Sequence, residues 1–157
     1  MRIGFGFDVH RLSEGREFIL GGITIPASKG ISGHSDADVL LHAISDAVLG
    51  ALAMGDIGQH FPDTDQSIKG IASSRILEKC ISLIDGKGYR IGNIDSMVVC
   101  EQPRIMPHAS DIRSSVARIC GIPTEDVSLK AGTNEKMGFI GREEGIAAYA
   151  VVLLLKK

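Results

Sequence analysis

The chain has no tryptophan, only two tyrosines and five phenylalanines, no surplus of positive charge and no long apolar run. Each shortage excludes something. A formal net charge of -2 with so few stacking rings lacks the basic field and aromatic surface that nucleic acid requires, so nucleic acid is excluded as a partner. No apolar stretch approaches the roughly 18 residues needed to cross a bilayer, which excludes a membrane-inserted role. Cysteine is scarce, and Cys80, Cys100 and Cys120 form no C-x-x-C pair. They read as small hydrophobes in a reducing compartment rather than as a disulfide framework or a thiolate zinc site. The first residues carry strand pattern instead of a charged-then-apolar leader, so the expected location is cytoplasmic, in a bacterial or plastid-like setting.

What remains is a chain of 157 residues, expected to form one domain over residues 1–157. That length buries roughly two thirds of the unfolded surface without disulfide or metal staples. Any metal is therefore expected to serve chemistry rather than folding.

The densest chemistry lies in Gly33-His34-Ser35-Asp36-Ala37-Asp38-Val39-Leu40-Leu41-His42, read with Asp8-Val9-His10. Ile3, Phe5, Phe7 and Val9 alternate with smaller or polar residues at the strand period, so Asp8 and His10 leave the same, less apolar face. Val39, Leu41, Ile44, Val48, Leu49 and Leu52 have helical period, with Gly55 as a stop signal. Ser35 fits a capping box with Asp38. His42 lies one turn from both Asp38 and Asp46, on a polar face pointing away from the apolar stripe. Asp8, His10 and His42 then supply one carboxylate and two imidazoles, the donor set of a zinc ion that keeps an open position for catalysis.

Along the chain, residues 18–25 read as a hairpin turning at Gly21-Gly22, and residues 26–34 as a loop. Residues 55–65 are irregular and rich in Gly, Pro and Asp. A second helix is expected over about 71–86, a strand over 89–100, and a third helix with Pro107 in its first turn, closed by Gly121. Residues 127–130 and 146–155 read as the last strands, the final one apolar on both faces and so central in the sheet or pressed against another subunit. The expected class is α+β: a mixed four-stranded sheet plus a small hairpin, with helices on one face.

Plainer readings stand beside these. A histidine on a helix face is often merely packed, and Asp36 and Asp38 at a helix start are equally cap and dipole partners. Asp63 and Asp65 flank Thr64 as turn formers would. His60 and His108 read as surface residues, and Arg142 and Glu144 as a solvated pair.

Taken together, four segments resemble the 2-C-methyl-D-erythritol 2,4-cyclodiphosphate synthase family of the non-mevalonate isoprenoid pathway, over essentially the full length. They are Gly6-Phe7-Asp8-Val9-His10; Gly33 to Asp38 with His42-Ala43; Gly55-Asp56-Ile57-Gly58 through Phe61-Pro62-Asp63-Thr64-Asp65; and Glu135-Lys136-Met137-Gly138-Phe139 with Gly141-Arg142. The resemblance implies an enzyme in which the 2-phosphate of 4-diphosphocytidyl-2-C-methyl-D-erythritol 2-phosphate attacks the β-phosphorus of its own diphosphate and expels CMP. Such a reaction demands folding and neutralising a flexible anion, and no protein nucleophile.

It further implies Asp8, His10 and His42 as zinc ligands and Glu135 as the protein ligand of a Mg²⁺ or Mn²⁺ ion across the α- and β-phosphates. His34 and Thr133 match the groups that polarise the phosphates, with Val9 and Ser35 lining the same site. Asp56, Ile57 and Gly58, then Phe61, Pro62, Asp63, Thr64 and Asp65, match the loop around the methylerythritol hydroxyls. Residues 100–106, with Cys100, Pro103, Arg104, Ile105 and Met106 as substrate contacts, match the cytidine pocket, which Ala131, Gly132 and Thr133 complete; Asn134 is a further substrate-binding residue. Phe139 and Arg142 follow the Glu135 loop. Two positions depart from the family pattern: Arg104 stands where Lys is common, and Gly132 where a hydroxyl residue is common. The resemblance also implies a homotrimer with active sites shared between chains, and an isoprenoid diphosphate in a central cavity near Arg142 and Glu144. Competing classes are a metal-dependent phosphohydrolase and a non-catalytic binder of isoprenoid diphosphate.

Overall fold

The computed structural model describes residues 1–33, 35–62 and 70–157. The expectations for His34, Asp63, Thr64 and Asp65 fall outside these residues. Seven strands and five helices follow in the order β1 (Arg2–Ser13), β2 (Phe18–Leu20), β3 (Ile23–Ile25), β4 (Gly30–Ser32), α1 (Val39–Ala51), α2 (Ile57–His60), α3 (Ser73–Asp85), β5 (Tyr89–Val99), α4 (Ala109–Cys120), β6 (Val127–Gly132), α5 (Gly138–Gly141) and β7 (Gly145–Lys156) among the described residues. The class is α+β, as expected.

The main sheet has five strands, ordered β4-β1-β7-β5-β6, and a separate two-stranded sheet pairs β2 with β3. Among the described residues only β5 and β6 run parallel; the other pairs are antiparallel. The sheet is thus one strand wider than the four read from the sequence. The addition is β4, placed in the 26–34 loop: it is three residues long, too short for a period to be visible, and exists because Arg11, Leu12 and Ser13 offer it a partner edge. The final strand takes the central position, which its two-sided apolarity anticipated.

The hairpin turns at Gly21 and Gly22, whose φ angles of 62° and 79° are those a two-residue turn demands. α1 begins one cap later than the Ser35 reading. Asp38 is its N-cap, accepting from the Leu41 amide, while the Ser35 hydroxyl accepts from Ala37 N–H inside the preceding turn. The helix also stops at Ala51, ahead of Gly55. A short 3₁₀ turn over Met106–His108 carries Pro107 before α4 begins, and α4 ends at Gly121 in the left-handed conformation.

The sequence placed His42 on a polar face turned away from the core, and the structure corrects this. α1 is buried almost all round, with His42 7 % and Asp38 0 % exposed. The helix lies across β1 and β7 on one side and against α3 on the other, so its polar residues face protein rather than solvent. Gly4 and Gly6 permit the approach to β1. A Cβ at either would fall 1.8 or 1.9 Å from the carbonyl oxygens of Ala47 and Ala43. No helix among the described residues is long and apolar enough to cross a membrane.

Candidate metal centre

β1 alternates faces, so Gly4, Gly6, Asp8 and His10 share the side covered by α1. Because the two glycines draw the helix in, His42 on α1 meets the carboxylate and imidazole at the far end of the strand. Asp8 Oδ2 lies 2.9 Å from His10 Nε2 and 2.9 Å from His42 Nδ1, and the two ring nitrogens are 3.1 Å apart. Three lone-pair atoms from residues as much as 34 positions apart thus converge on one point.

The donor chemistry suits a divalent metal ion. Tetrahedral zinc with bonds of about 2.0–2.1 Å sets its ligand atoms roughly 3.3 Å apart, close to the edges of this triangle. Tautomer matters as much as distance. His10 Nδ1 lies 3.1 Å from the Ser32 carbonyl, which can only accept, so the ring carries its proton there and turns the Nε2 lone pair toward Asp8 and His42. β4, invisible in the sequence, thereby orients one of the three donor groups.

Electrostatics follow from the same contacts. Desolvation pushes the Asp8 carboxyl up, but hydrogen bonds and charge from His10 and His42 outweigh it and hold the group well below the usual carboxylate range. Desolvation works against a charged His10, yet its hydrogen bond and attraction to Asp8 raise its pKa above 6.5. Burial raises Asp38 to about 6, partly opposed by hydrogen bonds from the Gly22, Leu41 and Gly21 amides. Asp38 is therefore a structural carboxylate, as the cap reading anticipated. Each of the three cysteines is buried and free, with its thiol pushed up to about 12 by burial, which leaves it inert.

The remaining expected site residues fall into two groups. Asp56 caps α2 through the Gln59 amide, and Asp46 on α1 holds the Ile57 amide at 2.8 Å, so residues 56–58 are tied to the helix that carries His42. Phe61 and Pro62 follow directly. The second group lies where the parallel strands β5 and β6 end: Cys100 N–H donates to the Gly132 carbonyl, bringing residues 100–106 beside 131–133. Cys100 and Ile105 are buried there, while Arg104 and Met106 are exposed. Gly132 adds no donor of its own beyond the backbone.

Thr133 Oγ1 and Glu135 Oε1 lie 3.4 Å apart in the next loop. No hydrogen bond among the described residues joins that loop to Asp8, His10 or His42. Glu101, which the sequence reading passed over, organises it: one carboxylate oxygen accepts from the Asn134 and Lys136 amides at 2.9 and 3.1 Å. Glu135 and Lys136 are thereby held at φ 50° and 60°, unusual for residues with side chains. Phe139 and Arg142 are exposed beyond it, Arg142 forked onto both Glu144 oxygens at 3.0 and 3.2 Å.

Comparison with known proteins adds an independent line. A sequence model described as the YgbB family matches residues 1–155. The 2-C-methyl-D-erythritol 2,4-cyclodiphosphate synthase of Trichlorobacter lovleyi is 56 % identical over 155 residues, 99 % of each chain. That of Bacteroides thetaiotaomicron is 56 % identical over 156 residues, 99 % of this chain and 98 % of the other. Among solved structures, a 2C-methyl-D-erythritol-2,4-cyclodiphosphate synthase in a CDP-bound form superposes with a TM-score of 0.91 at 36 % identity, covering 98 % of this chain and all of that one. The bifunctional IspDF of Campylobacter jejuni gives a TM-score of 0.95 at 37 % identity over 99 % of this chain, which spans 42 % of that longer protein.

Proposed function

The chain belongs to the YgbB family, the 2-C-methyl-D-erythritol 2,4-cyclodiphosphate synthases, and from that premise we propose how its residues carry out the reaction. It converts 4-diphosphocytidyl-2-C-methyl-D-erythritol 2-phosphate to 2-C-methyl-D-erythritol 2,4-cyclodiphosphate and CMP. An oxygen of the 2-phosphate bonds to the β-phosphorus, and the bond from that phosphorus to the oxygen bridging it to the α-phosphorus breaks, leaving CMP. The observation that carries the reading is the convergence of Asp8, His10 and His42 in a chain that matches the family end to end.

Asp8 Oδ2, His10 Nε2 and His42 Nδ1 hold a zinc ion. Bound there, it supplies positive charge to offset the β-phosphate. Glu135 serves a Mg²⁺ or Mn²⁺ ion, since a carboxylate in an exposed loop meets phosphate favourably only across a cation. Thr133 and His34 donate to phosphate oxygens as charge shifts, and residues 56–65 receive the methylerythritol hydroxyls. Residues 100–106 and 131–133 take the cytidine end; that a relative's structure is of a CDP-bound form supports a cytidyl ligand.

A homotrimer with shared sites is part of the proposal. The absence of a direct hydrogen bond between the Thr133–Glu135 loop and the Asp8 group, among the described residues, suits a site completed by a neighbouring chain. The bare face of the sheet supports assembly as well: Ile3, Phe5, Phe7, Val9, Tyr149 and Val151 are all exposed on it, a patch of the kind that marks an interface. Arg142 and Glu144 then border a central cavity for an isoprenoid diphosphate. Incubating the protein with the diphosphocytidyl substrate and following products by ³¹P NMR tests the reaction. Cyclic diphosphate plus CMP is the expected outcome; an acyclic phosphate product identifies a phosphohydrolase instead.

A further inference from the structure

Beyond the three ligands, the hydrogen bonds behind His42 select its working tautomer. The ring's other nitrogen, Nε2, lies 2.9 Å from Ser73 Oγ and 3.2 Å from Ser35 Oγ. Ser73 is fully buried at the first turn of α3, 31 residues away from His42 in sequence. Its hydroxyl has a single hydrogen and bonds the Asp36 carboxylate tightly, while its amide donates to the other Asp36 oxygen at 3.1 Å. An ionised carboxylate only accepts, so the Ser73 hydrogen is directed at Asp36. Ser73 Oγ then has only lone pairs to offer His42. If Nε2 also presented a lone pair, two acceptors would face each other at 2.9 Å in a buried site, which is repulsive. With the Nδ1 lone pair on a metal, Nε2 therefore carries the ring's one proton, and Ser73 Oγ is placed to accept it.

We propose that Ser73 and Asp36 are positioning residues that hold an acceptor against the Nε2–H of metal-bound His42 and so fix Nδ1 toward the metal. The inference rests on the metal reading above. Asp36 is itself held by the Asp38 amide at 3.3 Å, and its own amide donates to the Ile71 carbonyl at 3.4 Å, so the arrangement bridges the approach to α1 and the start of α3. It does for His42 what the Ser32 carbonyl does for His10. One ligand takes its orientation from backbone and the other from a side-chain pair. Ser35 is the more distant partner: its oxygen, which also accepts from Ala37 N–H, lies 3.2 Å from the ring, and its own hydrogen can be directed at Ser73 Oγ 3.4 Å away.

The test uses the full-length chain. Zinc affinity is measured by competition with a chromophoric chelator, and the His42 Nε2–H group of the zinc-loaded protein by its ¹H–¹⁵N signal and its rate of exchange with solvent. Ser73→Ala is expected to weaken zinc binding by about 10- to 100-fold, the usual effect of removing the partner of a metal-bound imidazole, with Ser73→Thr recovering most of it. In the zinc-loaded unsubstituted chain the His42 Nε2 proton is expected to be protected from exchange with solvent by its hydrogen bond to Ser73 Oγ; in zinc-loaded Ser73→Ala it is expected to exchange faster. Asp36→Asn keeps a side-chain oxygen at the start of α3, so it serves as the second variant if Ser73→Ala folds poorly, and it too is expected to bind zinc more weakly. Unsubstituted zinc affinity in Ser73→Ala or Asp36→Asn, or a His42 Nε2–H that exchanges equally fast with and without the Ser73 hydroxyl, overturns the proposal. Failure of the unsubstituted protein to bind zinc would instead defeat the metal reading, and the proposal with it.

Discussion

The two faces of β1 invert the usual rule that the apolar side goes in. One face carries Ile3, Phe5, Phe7 and Val9, and it is open, with Ile3 69 % and Phe5 62 % exposed. The other carries Gly4, Gly6, Asp8 and His10, and α1 covers it. Shape decides the matter. Glycine lets the helix backbone come within contact of the strand, and that approach is what brings His42 to Asp8 and His10. The large apolar side chains cannot share that face, and they are left exposed on the opposite one.

The strongest blow to the covered face removes a ligand. His42→Ala is expected to abolish turnover and sharply reduce bound zinc in elemental analysis, with the circular dichroism of the fold retained because the metal is not the core. Full zinc occupancy in that variant would require another ligand set. Next comes the packing itself: Gly6→Ala puts a methyl group 1.9 Å from the Ala43 carbonyl, so α1 must retreat. A loss of about 3 kcal/mol in urea unfolding is expected, with zinc affinity falling alongside as His42 moves with its helix. Stability unchanged by Gly6→Ala would mean that strand and helix do not need their close approach.

The open face should respond in a different observable. Phe7→Ser touches no covered contact, so it is expected to cost the isolated chain within about 0.5 kcal/mol while lowering the particle mass in light scattering from trimer toward monomer. Mixing His42→Ala chains with Thr133→Ala chains after reversible dissociation should likewise restore part of the activity. A particle that is monomeric before any substitution would end the shared-site reading.

The smallest effect is the response of the covered face to pH. In the zinc-free chain His10 has its pKa raised above 6.5 by Asp8, so the pair's contribution to stability is complete below that value and is lost as pH rises through the raised one. Zinc requires the same nitrogen bare, so its affinity moves the opposite way. Between about pH 6 and about pH 8, thermal unfolding of zinc-free protein is expected to shift down while zinc binding tightens. Parallel trends would show that His10 does not exchange a proton for the metal.

Much of this centre was legible because it rests on short periods. Asp8 and His10 share a face by the strand's alternation, His42 belongs to a helix by its apolar spacing, and the Gly21-Gly22 turn announces its hairpin. Gly4 and Gly6 were a readable sign that the polar face of β1 is the covered one, since two small residues in alternation beside Asp8 and His10 invite a close neighbour. What escaped depends on partners remote in sequence. β4 needs the edge of β1, Glu101 acts on amides 33 and 35 residues away, and Ser73 matters only because α3 begins beside Asp36. None of these leaves a local period. The polar face given to α1 failed for the same reason: a residue's polarity says that it needs a partner, not that the partner is water.

Asp38 joins the hairpin to the start of α1 through a single carboxylate that accepts from Gly21 and Gly22 at 3.0 and 2.6 Å and from Leu41 at 3.1 Å. Those three amides share one acceptor with no exposed surface, so solvent deuterium reaches them through a common opening of turn and helix start rather than by separate fraying. The hairpin, which supplies no ligand, thus acts as a local gauge of order for the turn that precedes His42. A substitution that loosens Gly21 or Gly22 should register first as faster exchange at Leu41.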